Sequence, residues 1–227
     1  MTYSPMPNPQ SPVANPQSLI RAVEEADSSS KLLDAVEELS AACLPEAIPI
    51  LIAALGYNNP GAAVAAVDGL VQLGEPAVRP LLQLIDDHNY TARAWAIRAL
   101  AGIGDPRGLD TLLDAAKNDF ALSVRRAAAR GLGTVKWEEM ASEKLVSAQE
   151  SALEALLIVC QDPEWVVRYA AVTGLENLAK AVTETENGFY SKILVKLEEM
   201  ATKDEEIAVC SRVNLARERI SPTDTLR

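Results

Sequence analysis

Histidine is nearly absent from this chain of 227 residues, and cysteine is scarce. His88 is its one histidine and stands in the polar stretch Asp86–Tyr90, which is typical of a turn. The three cysteines lie far apart at positions 43, 160 and 210, without a Cys-x-x-Cys pair. Protein metal sites need several His, Cys or acidic ligands at close spacing. The sequence therefore predicts no metal site, and the separated cysteines favour reduced thiols in a reducing compartment.

Long apolar runs and a surplus of basic residues are also missing. No stretch of about 18 apolar residues occurs, so we expect no membrane-spanning helix, and the first residues lack the pattern of a signal peptide. The formal net charge is −11. This charge argues against nucleic acid as a partner, because phosphates are bound by lysine and arginine. Phosphate-binding glycine loops and the Gly-x-Ser-x-Gly elbow are absent too, so no catalytic residue can be assigned.

Alanine-rich helical segments recur along the chain, and each closes on a leucine. The closing leucines lie 30, 32, 43 and 40 residues apart, and a second apolar helical pattern precedes each segment. Helix pairs repeated at this spacing are typical of an α-solenoid, in which no unit buries its apolar face alone. We predict an all-α fold of about five to six HEAT-like helical hairpins. The five segments are Ala63–Leu70, Arg93–Leu100, Arg125–Leu132, Arg168–Leu175 and the weaker Ala208–Leu215.

The chain is predicted to contain a leader, one solenoid and a tail. Residues 1–16 include five prolines and are expected to be disordered or extended. Residues 17–220 form the predicted single solenoid, and residues 221–227 the tail. Gly74 and Gly104 stand where helices should end, as glycine caps do.

Three arginines recur seven residues before the closing leucine, each with an aspartate six residues earlier. Recurrence at equal spacing predicts an internal ladder, in which the aspartate caps the second helix and the arginine links neighbouring units. We therefore interpret these residues as scaffold and not as catalytic groups. They are Arg93, Arg125 and Arg168, with Asp87, Asp119 and Asp162.

The opposite face of the second helices differs between units. Trp95 replaces an alanine of the other units, and Arg98 follows three residues later, beside it on the helix. Arg130 takes the place of Arg98 in the next unit. Packed helices lie about 8–10 Å apart, so the two guanidinium groups can face one anionic ligand. Two interpretations stand, a solvated charged face or a groove for a flat anionic ligand or partner helix, and we favour the groove.

Three helical-repeat segments resemble the HEAT repeats of the phycobilisome lyase family. They are Tyr57–Leu70, Ala92–Pro106 and Asp162–Leu175. Over roughly residues 42–220 the chain is similar to the beta (F-type) subunits of the E/F phycobilin lyases. The resemblance implies a cytoplasmic enzyme subunit that works as a heterodimer with an alpha (E-type) subunit. Such pairs attach phycocyanobilin to a cysteine of the phycocyanin alpha chain through a thioether bond, and also detach or transfer it.

Within this resemblance phycocyanobilin is a bound substrate, and no cofactor is expected. A bilin carries two propionates and a conjugated body, which suit guanidinium groups and an indole. An alternative function is a non-catalytic HEAT-repeat adaptor or chaperone for a phycobiliprotein or another protein partner, since solenoid surfaces also bind protein chains. The candidates for bilin contact are Trp95, Arg98, Arg130, Asp87, Asp68, Tyr90, His88 and Tyr169.

Overall fold

A computed structural model describes residues 15–86, 90–182 and 188–221, and in this part of the chain all regular structure is helical. Short 3₁₀ turns at Pro45–Ala47, Pro106–Gly108 and Trp137–Glu139 precede α3, α7 and α9. The helices are α1 (Pro16–Glu24), α2 (Ser29–Ala41), α3 (Ile48–Ala54), α4 (Pro60–Leu73), α5 (Glu75–Asp86), α6 (Tyr90–Ile103), α7 (Leu109–Asn118), α8 (Leu122–Leu132), α9 (Ser142–Val159), α10 (Trp165–Ala181), α11 (Phe189–Lys203) and α12 (Ile207–Ile220).

Consecutive helices pair into hairpins, and the hairpins stack in chain order. The even-numbered helices from α2 to α12 form one row, in which each packs against the next, while the odd-numbered helices form the second row. Within the described residues this arrangement makes six hairpins, so the predicted all-α solenoid of HEAT-like repeats is confirmed. The first helix begins at Pro16, which was predicted to be the last residue of the leader. Residues 1–14 and 222–227 lie outside the described part.

The apolar stripe of the second helices is buried as the periodicity predicts. In α4, Leu70, Ala66 and Ala63 have no exposed surface, and Val67 is 3 % exposed. Residues four and three apart share one face of a helix, and this face packs on the neighbouring hairpins. Two apolar clusters result, one reaching from Leu19 in α1 to α6 and one from α6 to α12. Helix α6 contributes to both and joins the two halves of the solenoid.

Glycine matters where helix ends turn and where helices approach closely. Gly74 and Gly104 follow α4 and α6 with φ of 69° and 71°, a left-handed conformation that glycine adopts without strain. Gly133 lies against α10, and a Cβ placed on it would stand 2.6 Å from the carbonyl oxygen of Gly174. A side chain at that position would force α8 and α10 apart.

Candidate ligand groove

The predicted ladder of ion pairs is confirmed by the structure. In each rung the arginine of one hairpin pairs with an aspartate of the next hairpin, and all the partners are mostly buried. The pairs of Arg125 and Arg168 are bidentate, and such pairs fix orientation as well as adding energy. The rungs are Arg93–Asp119 at 2.5 Å, Arg125–Asp162 at 2.7 Å and Arg168–Asp204 at 2.8 Å.

Arg125 and Arg168 also hold the turns of their own hairpins. Arg168 Nη1 donates to the Asp162 carbonyl at 3.0 Å, while its Nε donates to Asp204 at 2.8 Å. The predicted capping role of the aspartates is corrected, however. Asp162 Oδ1 accepts from the backbone N–H of Glu164, the N-cap residue itself, and so closes a turn ahead of α10. Asp87 lies outside the described residues.

The register predicted for the last repeat is wrong by two residues. The Cys210 thiol donates to the Asp204 carbonyl at 3.3 Å, six residues back, which is the contact that Arg168 makes with Asp162. Cys210 therefore stands in the arginine position of the last hairpin, and the matching segment is 210–217, not Ala208–Leu215. The sequence held a signal for this register, because Asp-x-x followed by a large apolar residue opens α8, α10 and α12 alike.

The even-numbered helices α4, α6, α8, α10 and α12 enclose one groove of about 1100 Å³. Its walls combine small residues such as Ala101, Gly102 and Ala127 with two half-exposed rings, Trp165 and Tyr169. Five cations and one anion line it, in a chain whose net charge is −11. A concave site with this lining attracts anions. The charged lining residues are Asp68, Arg98, Arg126, Arg130, Arg212 and Arg219.

The structure brings part of the predicted site together. Arg98, Arg130, Asp68 and Tyr169 all line the groove. Trp95 is not among the described residues that line it. Trp95 packs against the apolar core of the first half, and its ring centre lies 5.5 Å from Arg98 Cζ. Its indole therefore orients Arg98 through a cation–π contact instead of facing the groove.

Three other candidates cannot be placed. Asp87 and His88 lie outside the described residues. Tyr90 begins α6, but its side chain lies outside them as well.

The main feature that the sequence interpretation missed is a buried charge cluster between α10 and α12. Arg212 donates to Thr173 Oγ1 at 3.1 Å and pairs with Glu176, and both charged side chains are almost fully buried. Lys180 also pairs with Glu176. Burial raises the pKa of Glu176, but hydrogen bonds from Lys180 and Arg212 outweigh it and leave the pKa below its ordinary value. Glu176 is thus an anion at neutral pH.

In the described residues, no group of three or more His, Cys, Asp or Glu side chains is placed to hold a metal ion. In the same part of the chain, every helix falls short of the length and apolar character needed to cross a membrane. The chemistry of the groove is therefore that of guanidinium groups, hydroxyls and aromatic rings.

Comparison with known proteins agrees with this geometry. Residues 78–176 match the HEAT repeat family. A phycocyanobilin lyase subunit beta from Pseudanabaena tenuis is 61% identical over 203 residues, covering 89% of this chain and 72% of that protein. The phycocyanin alpha phycocyanobilin lyase CpcF of Synechocystis is 50% identical, covering 90% of this chain and 94% of that protein.

A solved structure is similar as well. The complex of CpcE and CpcF of phycocyanin lyase from Nostoc sp. PCC7120 contains a chain that is 51% identical, with a TM-score of 0.68, over 75% of this chain and 98% of that chain. The fold and groove define a HEAT-repeat solenoid with a concave, arginine-lined surface. The sequence identities and the share of each chain that is covered define the family more closely. The chain belongs to the beta subunits of the phycocyanobilin lyases.

Proposed function

We propose that this chain is one subunit of a heterodimeric bilin lyase. With an alpha (E-type) subunit it attaches phycocyanobilin to a cysteine of the phycocyanin alpha chain through a thioether bond, and it also detaches or transfers the pigment. The relatives are named for this lyase, and the solved relative is a complex of CpcE and CpcF. Phycocyanobilin is a substrate in this proposal, no resident cofactor takes part, and the reaction occurs in the cytoplasm.

The observation that carries the proposal is the arginine-lined groove. Arg98 and Arg130 stand at equivalent positions of α6 and α8 and line one hollow. Guanidinium groups pair with carboxylates through short, charge-assisted hydrogen bonds, and Tyr169 and Trp165 add aromatic surface for a conjugated ligand. A bilin has both features, two propionates and a flat conjugated body. Nucleic acid has no place here, because the negative charge of the whole chain repels it.

In this proposal the chain acts by binding and orienting the pigment, and its buried thiol, Cys160, is unsuited to nucleophilic attack. Cys160 is 4 % exposed, and burial raises the pKa of its thiol to about 12. The nucleophile is the acceptor cysteine of the substrate protein, whose S–H adds across a carbon–carbon double bond of the pigment without a leaving group. A groove that holds the pigment in one pose makes this addition effectively intramolecular.

Reconstitution tests this proposal. The chain is mixed with its E-type partner, phycocyanobilin and the unmodified phycocyanin alpha chain, and covalent product is followed by visible absorption after denaturation. Arg98→Gln and Arg130→Gln should each slow product formation about tenfold or more, because a hydrogen bond between charged groups is worth roughly 1.5–3 kcal/mol. Arg79→Gln is the matched control, since Arg79 is an exposed arginine on α5, outside the groove.

Two results would contradict it. Equal rates for all three variants would remove Arg98 and Arg130 from the site. Binding of the phycocyanin alpha chain without any pigment spectrum or product would favour the alternative function, an adaptor or chaperone.

A further inference from the structure

Arg212 is an unusual residue for its place in the repeat. In the corrected register it takes the position that Ala127 and Ala170 hold in the two preceding hairpins. It is 5 % exposed and lines the groove. Its Nε and Nη2 are hydrogen bonded, but its buried Nη1 has no hydrogen-bond acceptor among the described residues. Buried N–H groups are almost always paired, so an unpaired one at the wall of a cavity indicates a missing acceptor.

The charges around Arg212 also leave room for an anion. Glu176 is the one carboxylate in the cluster, and it faces three cations: Lys180, Arg212 and Arg219. Arg219 Nη1 lies 3.7 Å from Glu176 Oε1, too far for a strong hydrogen bond, and its side chain is more than half exposed. The surplus of positive charge is thus partly accessible from the groove. A ligand carboxylate would offset it and supply the acceptor that Nη1 lacks.

Tyr169 lies beside this guanidinium. Its ring centre lies 6.0 Å from Arg212 Cζ, and the residue is 40 % exposed in the groove. Exposed side chains change rotamer within nanoseconds. The Tyr169 ring therefore has room to move within the groove, and it offers a flat surface close to Arg212 for a conjugated ligand.

Helix spacing decides which other arginine can share a ligand with Arg212. Neighbouring packed helices are about 8–10 Å apart, so α8 and α12 are roughly 16–20 Å apart, and long side chains from both can approach one ligand. Arg130 on α8 meets this condition. Arg98 is one helix further away, so it can join Arg130 at the second propionate but cannot reach the propionate held by Arg212, since the two propionates are carried by adjacent inner rings.

We propose that Arg212 and Arg219 form a carboxylate-binding subsite at the α12 end of the groove, which receives one propionate of the bilin while Arg130 faces the other. The proposal rests on the lyase function proposed above and specifies the pose of the pigment within it. Thr173 and Glu176 position Arg212 in this arrangement, because they hold its Nε and Nη2 and leave Nη1 for the ligand.

The test compares phycocyanobilin with its dimethyl ester, in which both propionates are blocked. Each is titrated into the heterodimer of this chain with its E-type partner, and binding is read from the visible spectrum. For Arg212→Gln we expect affinity for the free acid to fall about tenfold or more, while affinity for the ester changes less than about twofold. Arg219→Gln should show the same selectivity with a smaller loss, since Arg219 is exposed and the ligand keeps Arg212.

The matched control is Arg217→Gln. Arg217 lies on α12, pairs with Glu198 on α11 and is not part of the groove lining. This variant should bind both ligands like the wild type. Arg219→Gln guards against misfolding, because replacing an exposed side chain leaves the buried Arg212–Glu176 pair intact.

Three outcomes would overturn the subsite. Wild-type affinity of both arginine variants for the free acid would exclude it, and so would equal losses for acid and ester, which would show a purely structural role. Unchanged pigment binding together with weaker binding of the phycocyanin alpha chain would assign Arg212 to a protein carboxylate instead. A wild-type heterodimer that binds neither pigment form would mark failure of the lyase function itself.

Discussion

The hairpins at the two ends of the solenoid share the same apolar stripe but are joined differently. Between the first hairpins the links are neutral: Ser40 Oγ donates to the Ala65 carbonyl at 2.9 Å, and Asn59 Nδ2 donates to the Ser29 carbonyl at 2.9 Å. From α6 onward the ion pairs of the ladder are added to such neutral links. The arginine position of the ladder is occupied in α4 by a fully buried alanine, Ala63.

This difference separates two roles of the repeat. Apolar burial stabilises the stack throughout and is tolerant of small shifts between neighbours. Ion pairs with two hydrogen bonds allow one alignment and so fix the position of each hairpin against the next. The groove has most of its arginines on α8 and α12. The half of the molecule that positions ligand-binding groups is therefore the half whose hairpins are aligned by charge.

Breaking a rung of the ladder should have the largest effect on stability. Arg168→Met leaves Asp204, whose side chain is 5% exposed, without its cation. Removing one partner of a buried pair costs about 3 kcal/mol or more, so we expect the free energy of unfolding to fall by about 3 kcal/mol in urea titrations. A loss below about 1 kcal/mol would show that the ladder adds no more than a surface pair.

Adding one methyl group to a glycine should also distinguish the two halves of the solenoid by its effect on stability. Gly133→Ala places a Cβ 2.6 Å from the Gly174 carbonyl oxygen, whereas the nearest atoms to a Cβ on Gly61 in α4 are at 3.4 Å. We expect Gly133→Ala to lower the unfolding free energy by about 2 kcal/mol. Gly61→Ala should be neutral or slightly stabilising, because alanine favours helix. Equal effects in thermal unfolding would contradict the close approach of α8 and α10.

Removing a neutral hydrogen bond between hairpins should cost less stability than breaking an ion pair of the ladder. Ser40→Ala removes one hydrogen bond to the Ala65 carbonyl, and we expect a loss of about 1 kcal/mol. Thr134→Val makes the same test in the middle of the solenoid, where Thr134 Oγ1 donates to the Ala101 carbonyl at 2.6 Å. Urea unfolding of both variants measures the two effects, and losses as large as that of Arg168→Met would erase the distinction between the halves.

Mild acid should produce the smallest change. The hydrogen bond from Arg168 lowers the pKa of Asp204 below its ordinary value of 3.8, although burial opposes this. A carboxylate whose pKa is lower in the folded state stabilises fully above its unfolded pKa, and the stabilisation is lost as pH falls through the folded pKa. Wild-type stability should thus change little down to about pH 5 and fall below about pH 4. Asp204→Asn should flatten this dependence, and parallel curves would contradict the prediction.

The sequence was sufficient for the fold and for most of the ladder. Period and spacing predicted the hairpins, since apolar residues at helical intervals must be buried. The ladder was visible because its residues recur at equal spacing, as Arg125 and Asp119 do. Arg98 and Arg130 were also predicted correctly to lie on the same face, because they occupy equivalent positions in adjacent repeats.

Contacts between side chains that are far apart in the sequence could not be predicted from the sequence. The Arg212–Glu176 pair joins α10 and α12, and neither residue repeats elsewhere, so periodicity carries no signal for it. Trp95 was assigned to the correct helix but not to its actual contacts, because an indole is large enough to reach the core from a flanking position. The register of α12 was misjudged since Cys210 replaces the arginine by which the other units were aligned.

The ladder also has a direction, and this has a consequence for biosynthesis. Every arginine of the ladder precedes its aspartate by one hairpin, so during synthesis its guanidinium has no ion-pair partner until the following hairpin is made. Asp204 satisfies the last of them, and Cys210 introduces no new one. The last rung, Arg168–Asp204, can therefore form only after α11 has been made.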